Sequence, residues 1–382
     1  MLRLRWRPPQ DPGRRLGVRH PPAILQLEAD LPEVPQGSLG IQPKTIDDLA
    51  WALRYASENS LVVDVRGGGT HHGYGAPPPP DLVLSMASFD RVEEWDPDDL
   101  TVVVGAGVPV ASLEAMLAEK SQTAVLPEHP GASTLGGAIA AGLSSLRRAR
   151  LLGTRERVLE VTLVTGDGRV VTAGGRVVKN VTGYDLPRLV VGAFGSLGVI
   201  TRVCLKVLPV PPAAATIRIS DIEQAAEVGR PLAVLETGDD LSVYVWGTEA
   251  EVESVAERID GDARIGLDWP EDPRGALIWS LRVPPALVSE AISNLPGGWR
   301  FLAVHGAGDL RLAADSRAGA AELRAWAEKV GGSLVVVSAP PASLPGFDAW
   351  GSPPPGLELQ KSLIAQFDPA RVINPGRLAG GL

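Results

Sequence analysis

Residues 66–75 read RGGGTHHGYG, Arg66 to Gly75, directly after the apolar stretch Leu61, Val62, Val63, Asp64, Val65. Three successive residues without a Cβ let backbone N–H groups point into one concavity, and such a nest attracts an anion such as a pyrophosphate. A tight glycine-rich surface turn is the competing reading, because glycine clusters punctuate many loops. These ten residues alone leave the two readings open, so position and company must decide.

The composition narrows the field. At 382 residues the chain is long enough for roughly two or three domains and a sizeable enclosed ligand. Its 45% hydrophobic and 21% charged content is that of an ordinary globular protein, and a net charge of -9 argues against nucleic acid as a partner. Basic residues gather only locally, in the first twenty residues and at Arg147, Arg148 and Arg150. The single cysteine, Cys204, leaves no disulfide framework, thiolate zinc site or iron–sulfur cluster to be built within the chain. No Gly-Lys dipeptide occurs, which removes the GxxxxGK[ST] phosphate loop; Val110 stands where a dinucleotide fingerprint beginning at Gly105 wants its third glycine. Neither a signal-peptide core nor an apolar run of ~18 residues is present. The expectation is a cytoplasmic protein, with any membrane association arising through a partner.

Outward from the glycine run, Thr45 and Asp48 form an N-cap pair ahead of the apolar positions Leu49, Trp51, Ala52, Leu53 and Tyr55, predicting a helix over 41–59 that leads into a strand at 61–65. Short strands are expected near 82–85, 91–95 and 101–105, and a helix near 109–119. A second small-residue segment, PEHPGASTLGGAIAAGLSS at 127–145, predicts a helix from about Thr134 whose bare backbone admits either a ligand or a closely packed neighbour. Val158–Val164 and Val170–Ala173, joined by Thr165-Gly-Asp-Gly168, read as a hairpin. A third glycine-spaced segment spans 179–209 and ends in an apolar strand containing Cys204, and Pro209, Pro211 and Pro212 mark a boundary. Beyond it strand-like and helix-like runs alternate as in an α+β plait, followed by a proline-rich stretch at 340–355 and a short helix ending in FDPARVINPGR.

With all three segments in view, RGGGT, then PEHPGASTLGGAIA, then GYDLPRLVVGAFGSLGVIT, residues 35–210 resemble the FAD-binding domain of the vanillyl-alcohol oxidase or PCMH type. Within it, VVKNVTGYDLPRL, the arginine cluster before LLGTRERVLEV and the terminal FDPARVINPGR resemble the FAD-binding subunits of bacterial glycolate oxidase complexes. The resemblance implies an α+β fold: a basic extension (1–34), a PCMH-type domain of two α/β subdomains (35–210), an α+β cap with an antiparallel sheet (211–340), and a linker and tail (341–382) that return to the FAD domain. It implies that Arg66, Gly67, Gly68, Gly69, Thr70 and His71 hold the FAD pyrophosphate. Gly131, Ala132, Thr134, Leu135, Gly137 and Ala141 form the opposite wall. Gly153 and Thr154 reach the ribityl or phosphate region, Val199 and Ile200 line the last strand, and Tyr184 lies either near the flavin or simply in the packing.

Relatives that tether FAD covalently through histidine carry it where Thr70 stands, so the FAD is expected to be non-covalent. The catalytic 2-hydroxyacid dehydrogenases carry a GDGNLH segment in the cap; the comparable stretch here runs from His305 to Arg311. Oxidising a 2-hydroxyacid requires a base for the hydroxyl proton and a cation for the carboxylate, roles for which His305 and Arg311 are the candidates. They serve together only if strand alternation brings them to one face. The implied function is the FAD-binding subunit of a glycolate or 2-hydroxyacid dehydrogenase, an oxidoreductase working with a catalytic flavin subunit and an iron–sulfur subunit. The alternatives are a self-contained hydroxyacid or polyol oxidase, and a scaffolding subunit with a vestigial flavin site. No bound metal is expected.

Overall fold

The computed structural model describes residues 27–29, 31, 34–75, 77–176, 185–340, 343–344 and 346–382. Thr45 caps the helix Ile46–Glu58 in a reciprocal capping box with Asp48. Leu49, Ala50, Ala52, Leu53, Tyr55 and Ala56 of this helix are buried. They pack with Ile41, Val63, Leu82 and Leu84 of a parallel sheet ordered β1-β3-β2, made of β1 (Leu39–Ile41), β2 (Val63–Arg66) and β3 (Leu82–Ser85). The glycine run leaves the C-terminal end of β2, an edge strand of this sheet.

A second, antiparallel sheet holds β4 (Val92–Asp96), β5 (Thr101–Gly105), β7 (Val158–Val164), β8 (Val170–Gly174) and β9 (Val199–Lys206) in the order β4-β5-β9-β7-β8. The two-residue strands β6 (Gln122–Thr123) and β10 (Leu208–Pro209) pair separately. β7 and β8 are the expected hairpin, with Gly168 at φ +78° in its turn. Helices Val110–Ala118 and Leu135–Ala141 bury Leu113, Leu117, Leu135, Ala138 and Ile139 with Val102, Val104, Val203 and Leu205. Each of these large side chains, taken out of water, contributes about 1.5–3 kcal/mol. Cys204 lies in β9, 1% exposed, as the small hydrophobe its neighbours predict.

Beyond Pro212 the chain builds one eight-stranded antiparallel sheet. Its strands are β11 (Ala213–Arg218), β12 (Ala233–Thr237), β13 (Leu241–Gly247), β14 (Asp262–Ile265), β15 (Leu277–Arg282), β16 (Arg300–Val304), β17 (Asp309–Ala314) and β18 (Ser333–Ser338). The sheet order is β14-β11-β13-β12-β16-β17-β15-β18. One face carries Leu277, Trp279, Leu310, Leu312 and Leu334 with Val288, Ala291, Leu323 and Ala327 of the helices Val288–Ser293 and Ala320–Lys329. The other receives Leu146 from the segment after the small-residue helix, enclosed by Leu232, Leu235, Tyr244, Leu302 and Val304. Arg148 reinforces that junction, 3.3 Å from the Asp309 carboxylate. β14 escapes the sequence pattern because Asp-Ala-Arg-Ile at a sheet edge is exposed throughout and has no buried face to mark it.

After the helix Leu357–Phe367 the tail returns to β2. The Val63 N–H donates to the Val372 carbonyl and the Asn374 N–H to the Val63 carbonyl, so the tail continues the parallel sheet past its edge. The buried Asp368 carboxylate shapes this turn by accepting from the Ile373 N–H at 2.7 Å. No helix of the described residues is long and apolar enough to cross a membrane.

Candidate functional site

The three glycine segments meet in one cleft. Val65, Gly67–Gly69, Thr70, His71 and His72 form one side; Thr134, Gly137, Ala140 and Ala141 form the other. A second lobe shares Val65, Gly67, Thr134, Gly137 and Ala140 and runs on to Gly136, Gly195, Gly198, Val199 and Ile200. The walls are thus mostly backbone, methyl groups and hydroxyls.

Each early glycine has its own reason. Gly69 sits at φ +72°, the left-handed region that disfavours a Cβ. Gly67 and Gly68 have no positive φ; a Cβ on Gly67 would overlap the Thr134 hydroxyl, and one on Gly68 the Ala132 carbonyl oxygen. The close approach that the small residues permit is therefore first an approach of the cradle to the 131–134 turn. The segments pack tightly where they touch and leave an open cleft where they part.

Beside the cleft, the Thr70 hydroxyl and His71 Nδ1 lie 2.7 Å apart in a hydrogen bond. Burial, with the neighbouring His72, holds the His71 pKa below the usual imidazole value, so the ring is neutral at pH 7. Arg66 bonds Asp64 at 2.8 Å. Two further residues come from the tail. The Asn374 side chain accepts from the Val65 N–H at 2.9 Å and donates to the Phe194 carbonyl at 2.8 Å. Arg377, 6% exposed, donates to Asp64 Oδ1 at 3.1 Å, to His72 Nδ1 at 3.0 Å and to the His72 and Tyr74 carbonyls. The Tyr74 ring packs on Phe194, with centroids 4.8 Å apart, and Trp350 from the stretch after β18 completes an aromatic cluster at this end of the cleft.

A wall of glycine and alanine with a threonine hydroxyl on one side and an arginine at one end lets a long cofactor lie close against the backbone. Residues 38–174 match the family described as FAD binding domain. Over 319 residues the chain is 31% identical to glycolate oxidase subunit GlcE of Escherichia coli strain K12, covering 77% of this chain and 86% of that protein. The chain belongs to this family of FAD-binding oxidoreductase subunits. FAD is its cofactor. Other members match a shorter part: D-lactate dehydrogenase of Archaeoglobus fulgidus is 33% identical over 181 residues, 47% of this chain and 40% of that protein. Glycolate oxidase subunit GlcD of Bacillus subtilis is 33% identical over 181 residues, 46% of this chain and 38% of its own length. Among solved structures, alkyldihydroxyacetonephosphate synthase superposes with a TM-score of 0.63 at 14% identity, covering 89% of this chain and 77% of that one, which supports the PCMH-type α+β fold.

Of the residues expected at the FAD site, Gly67, Gly68, Gly69, Thr70, His71, Thr134, Gly137, Ala141, Val199 and Ile200 line the cleft. Leu135 is instead wholly buried in the core beneath it, and Ala132 supports Gly68. Gly131, at φ +53°, has nothing within 4 Å of an added Cβ. Arg66 turns to Asp64. Thr154 is fully buried with its hydroxyl on the Leu143 carbonyl, and the Gly153 N–H donates to Glu156, so these two shape the turn that follows the wall helix. Tyr184 lies outside the described residues.

The structure does not bring His305 and Arg311 together. His305 follows β16, directly after Val304, which faces the Leu146 junction, and the histidine Nε2 bonds Glu236 Oε2 at 2.7 Å. Arg311 lies on β17 opposite Leu302, a residue of that junction, and donates to the Ser144 carbonyl and the Asp272 carboxylate. Alternation about the strand end and the intervening turn sends the two side chains different ways. Only Arg311 points toward the FAD-binding half. Sequence reasoning also passed over Val65, Gly136, Ala140, Phe194, Gly195, Gly198, Asn374 and Arg377. The glycines carried a signal in their spacing, and the last two carried one in the terminal NPGR motif, whose partners lie some 300 residues away.

Proposed function

We propose that this chain is the FAD-holding subunit of a multi-subunit glycolate or 2-hydroxyacid dehydrogenase, with the FAD bound non-covalently and taking part in hydride or electron transfer. The observation that carries the reading is the glycine-walled cleft closed by the C-terminal tail, in a chain alike over most of its length to a protein named as a glycolate oxidase subunit. The threonine at position 70 supports non-covalent binding: its hydroxyl engages His71, and no nucleophilic imidazole occupies the tether position. Bound flavin supplies acceptance of a hydride from the carbon bearing the hydroxyl.

What this chain's own residues supply is binding and shielding. The cradle and wall helix hold the anionic bridge, Val199 and Ile200 give an apolar lining, and Tyr74, Phe194 and Trp350 cover one end from water. Among the described residues of the cap and its junction, several groups suited to a substrate carboxylate are already paired: Arg311 with Asp272, Arg148 and Arg282 with Asp309, and His305 with Glu236. A carboxylate substrate must compete with these contacts, which favours substrate oxidation on a partner flavin subunit over oxidation at this site alone. Any iron–sulfur centre belongs to another chain, since one cysteine does not ligate a cluster.

Anaerobic addition of glycolate or D-lactate to the FAD-loaded chain, alone and after reconstitution with the partner subunits, tests this. Bleaching only in the reconstituted complex is expected. Bleaching of the isolated chain establishes the self-contained oxidase instead.

A further inference from the structure

The C-terminal tail does more than fill the edge of the parallel sheet. Its polar side chains bridge the first and third of the glycine segments that build the cleft. Asn374 is 8% exposed and adopts φ +46°, a left-handed conformation that asparagine tolerates better than most residues. Both ends of its amide are used, Oδ1 on the Val65 N–H just before the cradle and Nδ2 on the Phe194 carbonyl in the third segment. Arg377 takes the other end of the cradle, where its planar fork reaches the carbonyls of His72 and Tyr74 while Asp64 orients it from behind. In a trans peptide the C=O and N–H groups point in opposite directions, so fixing these carbonyls fixes the plane of each peptide in the loop leaving the cradle. The fit is tight: a Cβ on Gly75 would overlap the Gly376 carbonyl oxygen.

We propose that Asn374 and Arg377 are positioning residues for FAD, a two-point clasp by which the C-terminal tail sets the geometry of the pyrophosphate cradle. The proposal rests on FAD being the occupant of the cleft. Two consequences follow. Cofactor affinity depends on residues that no glycine motif names, and the chain completes its FAD site only once its last residues have docked.

The test uses the full-length chain freed of flavin by dialysis and titrated with FAD and with riboflavin, which lacks the pyrophosphate. R377M removes the fork, R377K keeps the charge without the fork, and N374D is nearly isosteric yet loses the donor to Phe194. Each broken contact is a charge-assisted or buried hydrogen bond, so FAD affinity is expected to fall on the order of 10- to 100-fold in R377M and N374D and by less in R377K. Riboflavin affinity and the far-UV spectrum are expected to stay at wild-type values. Wild-type FAD affinity in R377M and N374D overturns the clasp, and so does an equal loss of FAD and riboflavin. If R377M does not fold, R377K decides, because wild-type affinity in that variant contradicts a role for the fork. A wild-type chain that takes up no FAD instead fails the cofactor reading itself, before any variant is compared.

Discussion

Gly137 separates folding from cofactor binding. It lies in the helix Leu135–Ala141 and lines both lobes of the cleft. A Cβ there meets only the Thr134 hydroxyl oxygen, at 3.3 Å, whereas a Cβ on the adjacent Gly136 meets Ala106 Cβ at 2.7 Å. In Gly137→Ala the helix gains about 0.5–1 kcal/mol from reduced backbone entropy, offset in part by the tight contact with Thr134. For a chain of this size that moves the melting temperature of the flavin-free protein by no more than about 2 °C. If FAD fills the cleft as proposed, the new methyl group takes space the cofactor needs, at a cost of about 1–3 kcal/mol, a roughly 10- to 100-fold weaker FAD affinity. Gly137→Leu should abolish FAD uptake. Gly136→Ala should destabilise the fold by about 1–3 kcal/mol instead, through overpacking against Ala106. Circular dichroism melts and FAD fluorescence titrations read the two effects separately. Full FAD occupancy at wild-type affinity in Gly137→Leu refutes the assignment of the cleft.

Thr45→Ala removes the capping box of the first helix and should cost about 1 kcal/mol of stability by denaturant titration, with FAD affinity unchanged because the cap lies away from the cleft. Burial pushes the Tyr74 hydroxyl from 10.0 to about 12. The folded chain then holds this proton after the unfolded chain has lost it, so stability falls as pH rises from about 10 to about 12; Tyr74→Phe should flatten that decline in pH-dependent melts. The Cys204 thiol, 1% exposed and pushed by burial to about 11, should resist a thiol reagent in the native protein and react at the rate of unfolding. Rapid labelling at neutral pH without unfolding contradicts the packing of β9.

Local chemistry was the most readable part of this sequence. The Thr45 and Asp48 cap, the Thr165–Gly168 turn and the small residues after Thr134 announce a helix start, a hairpin and a bare wall because each is decided by neighbours a few residues apart. The glycine run was legible as a candidate site only through its company. What it was needed for differed in part from expectation: only Gly69 carries the positive φ of a nest, while Gly67 and Gly68 serve contacts with the 132–134 backbone and side chains that no local rule reveals. Arg377 stayed hidden for the same reason, since Asp64 and His72 lie more than 300 residues earlier. His305 and Arg311 part at a turn: Gly306 and Gly308, both at positive φ, reverse the chain between His305, just past the end of β16, and Arg311 on β17.

We propose a flavin held but not tethered in the cleft of the three glycine segments. Acid precipitation of the purified chain, followed by flavin assay of pellet and supernatant, tests it most directly. Stoichiometric FAD in the supernatant above a colourless pellet is the predicted result. Flavin retained in the denatured pellet contradicts the non-covalent attachment, and a colourless chain that takes up no added FAD contradicts the site itself.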